Sequence, residues 1–244
     1  MEQSSHPGFT MLELVVVIII VGILATAINV AIFSPSLQGL KDQVVNHFSI
    51  ATSVGIQDDK VYYYFPSEAG SSVAKMRSKY YFKQFWQFKV MENTAGEISY
   101  CIFSDQPTDA TTNFDKRAHN EYSEVLTNGD GKYLCHDSST ASLTAQEDPY
   151  VNLTRKYSIV KAYLIYQGVT KTLSPSTPFR FLFDAEGNIF LDEGNAGDAG
   201  DIKIFDPTKR PLLTSPATLV FCQNDSCDKN ATFTVYPGGL ITAK

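Results

Sequence analysis

The distribution of apolar residues divides the chain into an apolar N-terminal segment and a longer body of mixed sequence. Between Leu14 and Phe33 there is no charged residue, and only Thr26 and Asn29 are clearly polar. A helix of this length spans roughly 30 Å, which is the thickness of the hydrocarbon core of a bilayer. The pattern therefore predicts one membrane-spanning helix, because a single span in lipid satisfies its backbone groups only as a helix.

A second helix is predicted directly after the apolar segment. Beyond Pro35, apolar residues recur at helical spacing, at Leu37, Leu40, Val44, Phe48 and Ala51. We expect a helix over about residues 36–56, continuous or nearly so with the first, whose apolar stripe packs on a sheet.

The rest of the body has the sequence pattern of strands. Aromatic and β-branched residues dominate segments 80–90, 97–103, 157–166, 179–184, 189–191, 218–222 and 231–236. Short turns predict two hairpins, 179–191 and 218–236. A leading helix followed by strands is typical of an α+β domain with an antiparallel sheet. Residues 105–146 are polar and irregular, which predicts a long surface insertion, with a tight turn at 128–131.

Composition and cysteine content narrow the class of protein. The chain has 244 residues, 43% of them hydrophobic, and a net charge of −6, which disfavours disorder and a general nucleic-acid binder. The cysteine count alone leaves three disulfide connectivities open. The short turn between Cys222 and Cys227 favours one bridge there, with Cys101 and Cys135 as the other. A zinc site is disfavoured because no C-x₂-C pair is present.

Glu13 distinguishes between the possible roles of the apolar segment. A secretory signal peptide, cut after Ala25-Thr26-Ala27, is one alternative, but residues 1–10 contain no Lys or Arg. A simple membrane anchor is another. Neither explains a carboxylate at the edge of a hydrocarbon region, where it is costly unless it is neutral or paired.

The residues around Glu13 carry a family resemblance. The stretch Gly8-Phe9-Thr10-Met11-Leu12-Glu13, followed by the apolar run, resembles the N-terminal signature of type IV pilins and type II secretion pseudopilins. The resemblance implies that a prepilin peptidase cuts between Gly8 and Phe9, that Phe9 is N-methylated, and that Glu13 pairs with the terminal amine of a neighbouring subunit. It also implies a pilin-like fold, in which a long helix, half transmembrane and half amphipathic, packs on the antiparallel sheet.

This resemblance leads us to expect a specific organisation of the chain and a specific function. Residues 1–8 would be a leader, 9–35 the transmembrane and assembly helix, and 36–244 the exported body. The chain would be a subunit, in our interpretation a minor one, of a type IV pilus-like or type II secretion pseudopilus filament. It would sit in the bacterial inner membrane with a periplasmic or extracellular body before assembly. Implied partners are prepilin peptidase, other pilin subunits, an assembly ATPase, an inner-membrane platform and membrane lipid.

Alternative functions remain at this point. The filament could deliver an adhesin or a DNA-uptake site, or the chain could be an exported protein with a Sec signal, cut before Ile28. The histidines are scattered, at His6, His47, His119 and His136, and no G-x-S-x-G, P-loop or dinucleotide fingerprint occurs. We therefore predict no catalytic activity and no resident cofactor.

Two short motifs have both a functional and a simpler interpretation. The acidic, glycine-rich segment 192–201 offers oxygen ligands for calcium at Asp192, Asn195, Asp198 and Asp201, but its spacing does not match an EF-hand, and a solvated loop explains the same residues. Asn230-Ala-Thr232, with Asp228 two residues earlier, resembles a bacterial N-glycosylation acceptor. Short sequons also occur by chance.

Overall fold

The computed structural model describes residues 11, 14–21, 36–60, 84–105, 123–136, 145–192 and 212–244. Internal contacts divide the chain into two units, 1–36 and 37–244. In the first unit, residues 14–21 are helical. None of the helices in the described ranges is both long enough and apolar enough to cross a membrane. The predicted membrane-spanning helix extends over residues outside those ranges.

The described part of the second unit has an α+β architecture. Its helices are α1 (Leu37–Gln57), a 3-10 helix (Pro149–Val151) and α2 (Leu153–Tyr157). Its strands are β1 (Trp86–Glu92), β2 (Ile98–Asp105), β3 (Ser123–Val125), β4 (Lys161–Tyr166), β5 (Val169–Thr172), β6 (Phe179–Phe183), β7 (Ile189–Asp192), β8 (Ala217–Cys222), β9 (Asn230–Val235) and β10 (Ile241–Ala243). The helix predicted over about 36–56 and the hairpins β6–β7 and β8–β9 are confirmed.

The strands form two antiparallel sheets, whereas the sequence predicted one. The first sheet has the order β3-β2-β1-β6-β7 and the second has the order β10-β9-β8-β4-β5. Two distant pairings produce this arrangement, because β1 joins β6 and β4 joins β8 across long stretches of sequence. Each sheet thus combines strands from separate parts of the chain.

Helix α1 contacts both sheets, through β1 and β6 of the first and β9 and β10 of the second. Its predicted apolar stripe is buried, with Leu40, Val44, Phe48 and Ala51 all 0% exposed. The ring of Phe48 packs against three phenylalanines of the first sheet, Phe88, Phe181 and Phe183, at centroid distances of 5.4, 5.4 and 5.2 Å. Burial of these side chains fixes α1 as the central element of the body core.

One strand begins later than the sequence predicts. The apolar pattern predicts an extended segment over 157–166, but the strand starts at Lys161, and α2 occupies Leu153–Tyr157. The Asn152 side chain caps α2 by accepting a hydrogen bond from Arg155 N at 3.0 Å. Ser158, with φ of 56°, then ends the helix in a left-handed conformation. Local capping therefore outweighs the apolar pattern over these residues.

The expected surface insertion at 105–146 is also corrected over its described part. Strand β3 pairs with β2, and Leu134 and Cys135 are 2% and 0% exposed. The predicted tight turn is present, with Gly131 N donating to Asn128 O at 3.0 Å. Residues 134–136 therefore belong to the core, whereas the turn before them is exposed and Val125, Leu126 and Tyr133 are partly buried.

Candidate functional site

The residues that the sequence predicts for processing and assembly, Gly8, Phe9 and Glu13, lie outside the described residues. The neighbouring residues 14–21 form a helical segment without a polar side chain. Their apolar side chains are about half exposed, from 47% at Val15 to 62% at Ile18. A helix that is apolar on every face requires lipid or other apolar helices around it.

A chain of hydrogen bonds joins the polar side of α1 to the body. Tyr157 Oη donates to Gln43 Oε1 at 2.6 Å. Gln43 Nε2 donates to Tyr100 Oη at 2.6 Å and to the carbonyl of Tyr150 at 2.9 Å. The Tyr100 hydroxyl lies 2.5 Å from His47 Nδ1. These contacts satisfy polar groups that would otherwise be costly inside the core.

Burial controls the charge states in this cluster. Tyr100 is 0% exposed, and burial raises its pKa far above the ordinary value, so its hydroxyl stays protonated. Burial also lowers the pKa of His47, although the carboxylate of Asp148 acts in the opposite direction. His47 is therefore held neutral, with Nδ1 able to accept a hydrogen bond from the Tyr100 hydroxyl.

A second polar cluster lies just beyond the end of α1. Trp86 Nε1 donates to Asp58 Oδ2 at 2.7 Å, and Lys60 Nζ lies 2.7 Å from Glu124 Oε2. Burial of Asp58 opposes its ionisation, but hydrogen bonds from Lys60 and Trp86 and the charge of Lys60 hold its pKa below the usual value. These contacts connect the helix terminus to β1 and β3.

Sequence reasoning missed the cluster at Gln43 and His47, although a signal was present. The two residues are four apart, which places them on one helical face beside the apolar stripe. Their tyrosine partners come from distant segments and carry no marker in the sequence.

Both cysteine pairs favoured by the sequence are disulfide-bonded in the structure. Cys101 and Cys135 are paired across an isolated antiparallel bridge. Cys222 and Cys227 bond across the turn between β8 and β9. The first disulfide lies in a small apolar cluster with Met91 and Phe103, so it joins residues 123–136 to the first sheet.

The calcium prediction remains a prediction. Asp192 is the last residue of β7, and Asn195, Asp198 and Asp201 lie outside the described residues. Within the part of the chain that the structure describes, no three His, Cys, Asp or Glu residues are grouped closely enough to hold a metal ion.

Comparison with known proteins identifies the N-terminal segment. Residues 4–29 match the family model of the prokaryotic N-terminal methylation motif. The chain has no significant match among curated proteins or among solved structures. The matched residues include Gly8, Phe9 and Glu13, the positions singled out by the sequence. The chain therefore carries, at residues 4–29, the N-terminal signature of type IV pilin and pseudopilin precursors.

Proposed function

We propose that this protein is a filament subunit of a type IV pilus-like or type II secretion pseudopilus assembly. The single observation that carries the proposal is the methylation-motif match at residues 4–29. In this proposal prepilin peptidase removes residues 1–8 and Phe9 becomes the methylated N-terminus. Residues 9–35 then form the transmembrane and assembly helix, and residues 36–244 form the exported body.

Cleavage supplies the charge that Glu13 needs. Removal of residues 1–8 creates an α-amino cation at Phe9, close to the start of the apolar run. When two such helices pack together, the amine of one and the Glu13 carboxylate of the other relieve each other's desolvation. The pair also sets the axial stagger between subunits, as buried polar groups set register in coiled coils.

The apolar helical segment 14–21 suits both stages of this process. Its side chains are matched to lipid before assembly and to other apolar helices afterwards. Gly22, Ala25 and Ala27 provide small surfaces for close approach of helices. Partners in this proposal are neighbouring pilin-type subunits, an assembly ATPase and an inner-membrane platform.

The body has features typical of exported proteins. Its two disulfides are typical of an oxidising compartment. The body is large, because it contains a second sheet, a 3-10 helix and irregular connections. A major subunit, repeated many times in a filament, usually has fewer insertions, so this size favours a minor subunit.

The proposal is tested by the mass of the N-terminal peptide of the mature protein, isolated from membranes of its own host. We expect N-methylated Phe9 as the first residue. Ile28 as the first residue would indicate a signal peptide, and Met1 would indicate no processing. Either result overturns the proposal.

A matched pair of variants sharpens this test. Gly8→Val should leave the leader attached, because a branched side chain at the cut site blocks access to the backbone. Ser4→Ala, also within the leader, should be processed like the unsubstituted chain.

A further inference from the structure

The turn between β8 and β9 is a polar tip of the second sheet. It covers residues 223–229, and Asp225, Ser226, Asp228 and Lys229 are exposed. The disulfide between Cys222 and Cys227 holds its base. Of the chain's three Asn-x-Ser/Thr sequons, one lies within this turn, and another begins directly after it, at the first residue of β9.

Burial excludes one of the three sequons as a modification site. They are Asn152-Leu-Thr154, Asn224-Asp-Ser226 and Asn230-Ala-Thr232. Asn152 is 0% exposed and its side chain caps α2 while it also donates to Glu97 Oε2 at 3.2 Å. A glycan is bulky and needs a surface position, so the folded chain excludes modification at Asn152.

The side chain of Asn230 is arranged so that it can accept a substituent without a change of fold. Its Nδ2 donates one hydrogen bond, to Cys227 O at 2.7 Å, and its Oδ1 accepts one from Thr232 Oγ1 at 3.1 Å. An amide nitrogen carries two hydrogens, and an N-glycosidic bond replaces one of them. The remaining N–H and the carbonyl oxygen can keep both contacts.

The surroundings of Asn230 also favour it over Asn224. Asp228, two residues before Asn230, completes the longer acidic form of the acceptor motif, whereas the residue two before Asn224 is the disulfide-bonded Cys222. The middle residue of the Asn224 sequon, Asp225, is also held by an ion pair with Lys161 at 3.0 Å.

The outer face of the second sheet leaves room beside Asn230. Ala231 and Phe233 are buried, so strand alternation places Asn230 and Thr232 on the opposite, outer face. In the row next to Asn230, Thr232 lies beside the uncharged Val220 and Tyr163, and Lys244 pairs with the backbone of Thr232 on its other side. The charged residues nearest in register are Lys244, beside Thr232, and Lys161, which lies two strands from Asn230 and is ion-paired with Asp225.

We propose that Asn230 is an N-glycosylation site. The co-reactant is an oligosaccharide linked through pyrophosphate to a membrane lipid. The bond between sugar C1 and the pyrophosphate oxygen breaks, a bond from C1 to Asn230 Nδ2 forms, one amide proton goes to a base of the transferase, and the lipid pyrophosphate leaves. The inference rests on export of the body, which is part of the proposed function.

The test is intact-mass and peptide-mass measurement of the full chain, purified in detergent from its own host. We expect a discrete mass increment that maps to the peptide containing Asn230. Asn230→Gln and Thr232→Val should remove the increment. Thr232→Ser, which keeps the hydroxyl, and Asn224→Gln, which leaves the Asn230 sequon intact, should retain it.

The same measurement separates this inference from the proposed function. An unmodified Asn230 overturns the inference, and with Phe9 as the first residue it leaves the filament proposal intact. A modified Asn230 on a chain that begins at Met1 or Ile28 supports the inference and overturns the proposed processing.

Discussion

The direction of single hydrogen bonds determines how α1 is held against the body. The Tyr100 hydroxyl oxygen accepts a hydrogen bond from Gln43 Nε2, and its own O–H is free to donate another. His47 Nδ1, at 2.5 Å, is the acceptor available to it in the cluster. A protonated His47 would present a second donor to the same hydroxyl, so the cluster requires neutral histidine.

This requirement predicts a pH dependence. Because the folded-state pKa of His47 lies below 6.5, the unfolded chain binds a proton at higher pH than the folded chain does. The stabilisation is complete above about pH 6.5 and is lost as pH falls through the lower folded value. In urea unfolding of the full chain in detergent between pH 5 and 7.5, His47→Gln should show a smaller loss of unfolding free energy on acidification. An identical slope in both proteins would contradict this account.

The Tyr100 hydroxyl itself should contribute measurably to stability. Tyr100→Phe removes the hydrogen bonds of the hydroxyl with the half-buried Gln43 and His47 side chains, and at about 0.5–1.5 kcal/mol each the loss is roughly 1–3 kcal/mol of unfolding free energy. Tyr236→Phe is the matched control, since Tyr236 is 36% exposed, and it should change the unfolding free energy by less than about 0.5 kcal/mol. Equal effects of the two variants would exclude a special role for the cluster.

Glu97 should contribute to the pH dependence of stability at a lower pH than His47 does. Burial raises the pKa of Glu97, but hydrogen bonds from Arg155, Asn152 and Asn93 and the charge of Arg155 outweigh burial and hold it below the ordinary value of 4.5. The stabilisation is therefore present above about pH 4.5 and is lost as pH falls through the lowered folded value. In denaturant unfolding followed by circular dichroism, Glu97→Gln should lose less unfolding free energy between pH 5 and 3 than the unsubstituted chain does. An equal loss of unfolding free energy in both proteins would contradict this role of Glu97.

Helices and strands with a long local pattern of apolar residues were predictable from the sequence. Short strands, and pairings between strands distant in sequence, were not. The stripe from Leu40 to Ala51 and the hairpin around Gly187 carry their signal within a few residues. Strand β5 lacks such a signal because all four of its residues are exposed. The division into two sheets depends on which distant strands pair, such as β4 with β8, and local alternation contains no information about that choice.

Close approach of α1 to β6 depends on Gly55. A Cβ added at Gly55 would lie 2.5 Å from Phe183 Cβ and 3.3 Å from its carbonyl oxygen. Alanine normally improves a helix by up to about 1 kcal/mol over glycine, but Gly55→Ala should reduce the unfolding free energy by about 1–3 kcal/mol because of this overlap. In Gly129→Ala the new Cβ meets nothing within 4 Å, and chemical denaturation should detect little change. Stabilisation by Gly55→Ala would show that the helix does not approach β6 so closely.

At the scale of the whole molecule, the two disulfides close loops of very different length. Cys101 and Cys135 are 34 residues apart, and Cys222 and Cys227 are 5 apart. Loop-closure entropy then predicts a stabilisation of roughly 4 kcal/mol for the first bridge and roughly 2 kcal/mol for the second. Thermal unfolding of the paired variants Cys101→Ala/Cys135→Ala and Cys222→Ala/Cys227→Ala should show the larger loss for the first. The reverse order would contradict the entropic account.

The residues that carry the proposed function were recognisable in the sequence because their signal is local and chemically unusual. Glu13 stands directly before an apolar run and five residues after Gly8, where a carboxylate is costly unless it is neutral or paired. The matched segment, 4–29, contains these residues. The polar cluster around Tyr100, by contrast, depends on contacts between distant segments.

The most direct test of the filament account measures how the full-length chain divides between the membrane and sheared surface filaments in its own host. Glu13→Ala removes the carboxylate that we expect to pair with the Phe9 amine of a neighbour. Glu2→Ala removes an acidic residue of the leader and serves as the control. We predict that Glu13→Ala stays in the membrane at the normal level but is lost from filaments, while Glu2→Ala assembles normally. Filament incorporation of Glu13→Ala at the level of the unsubstituted chain would contradict the account.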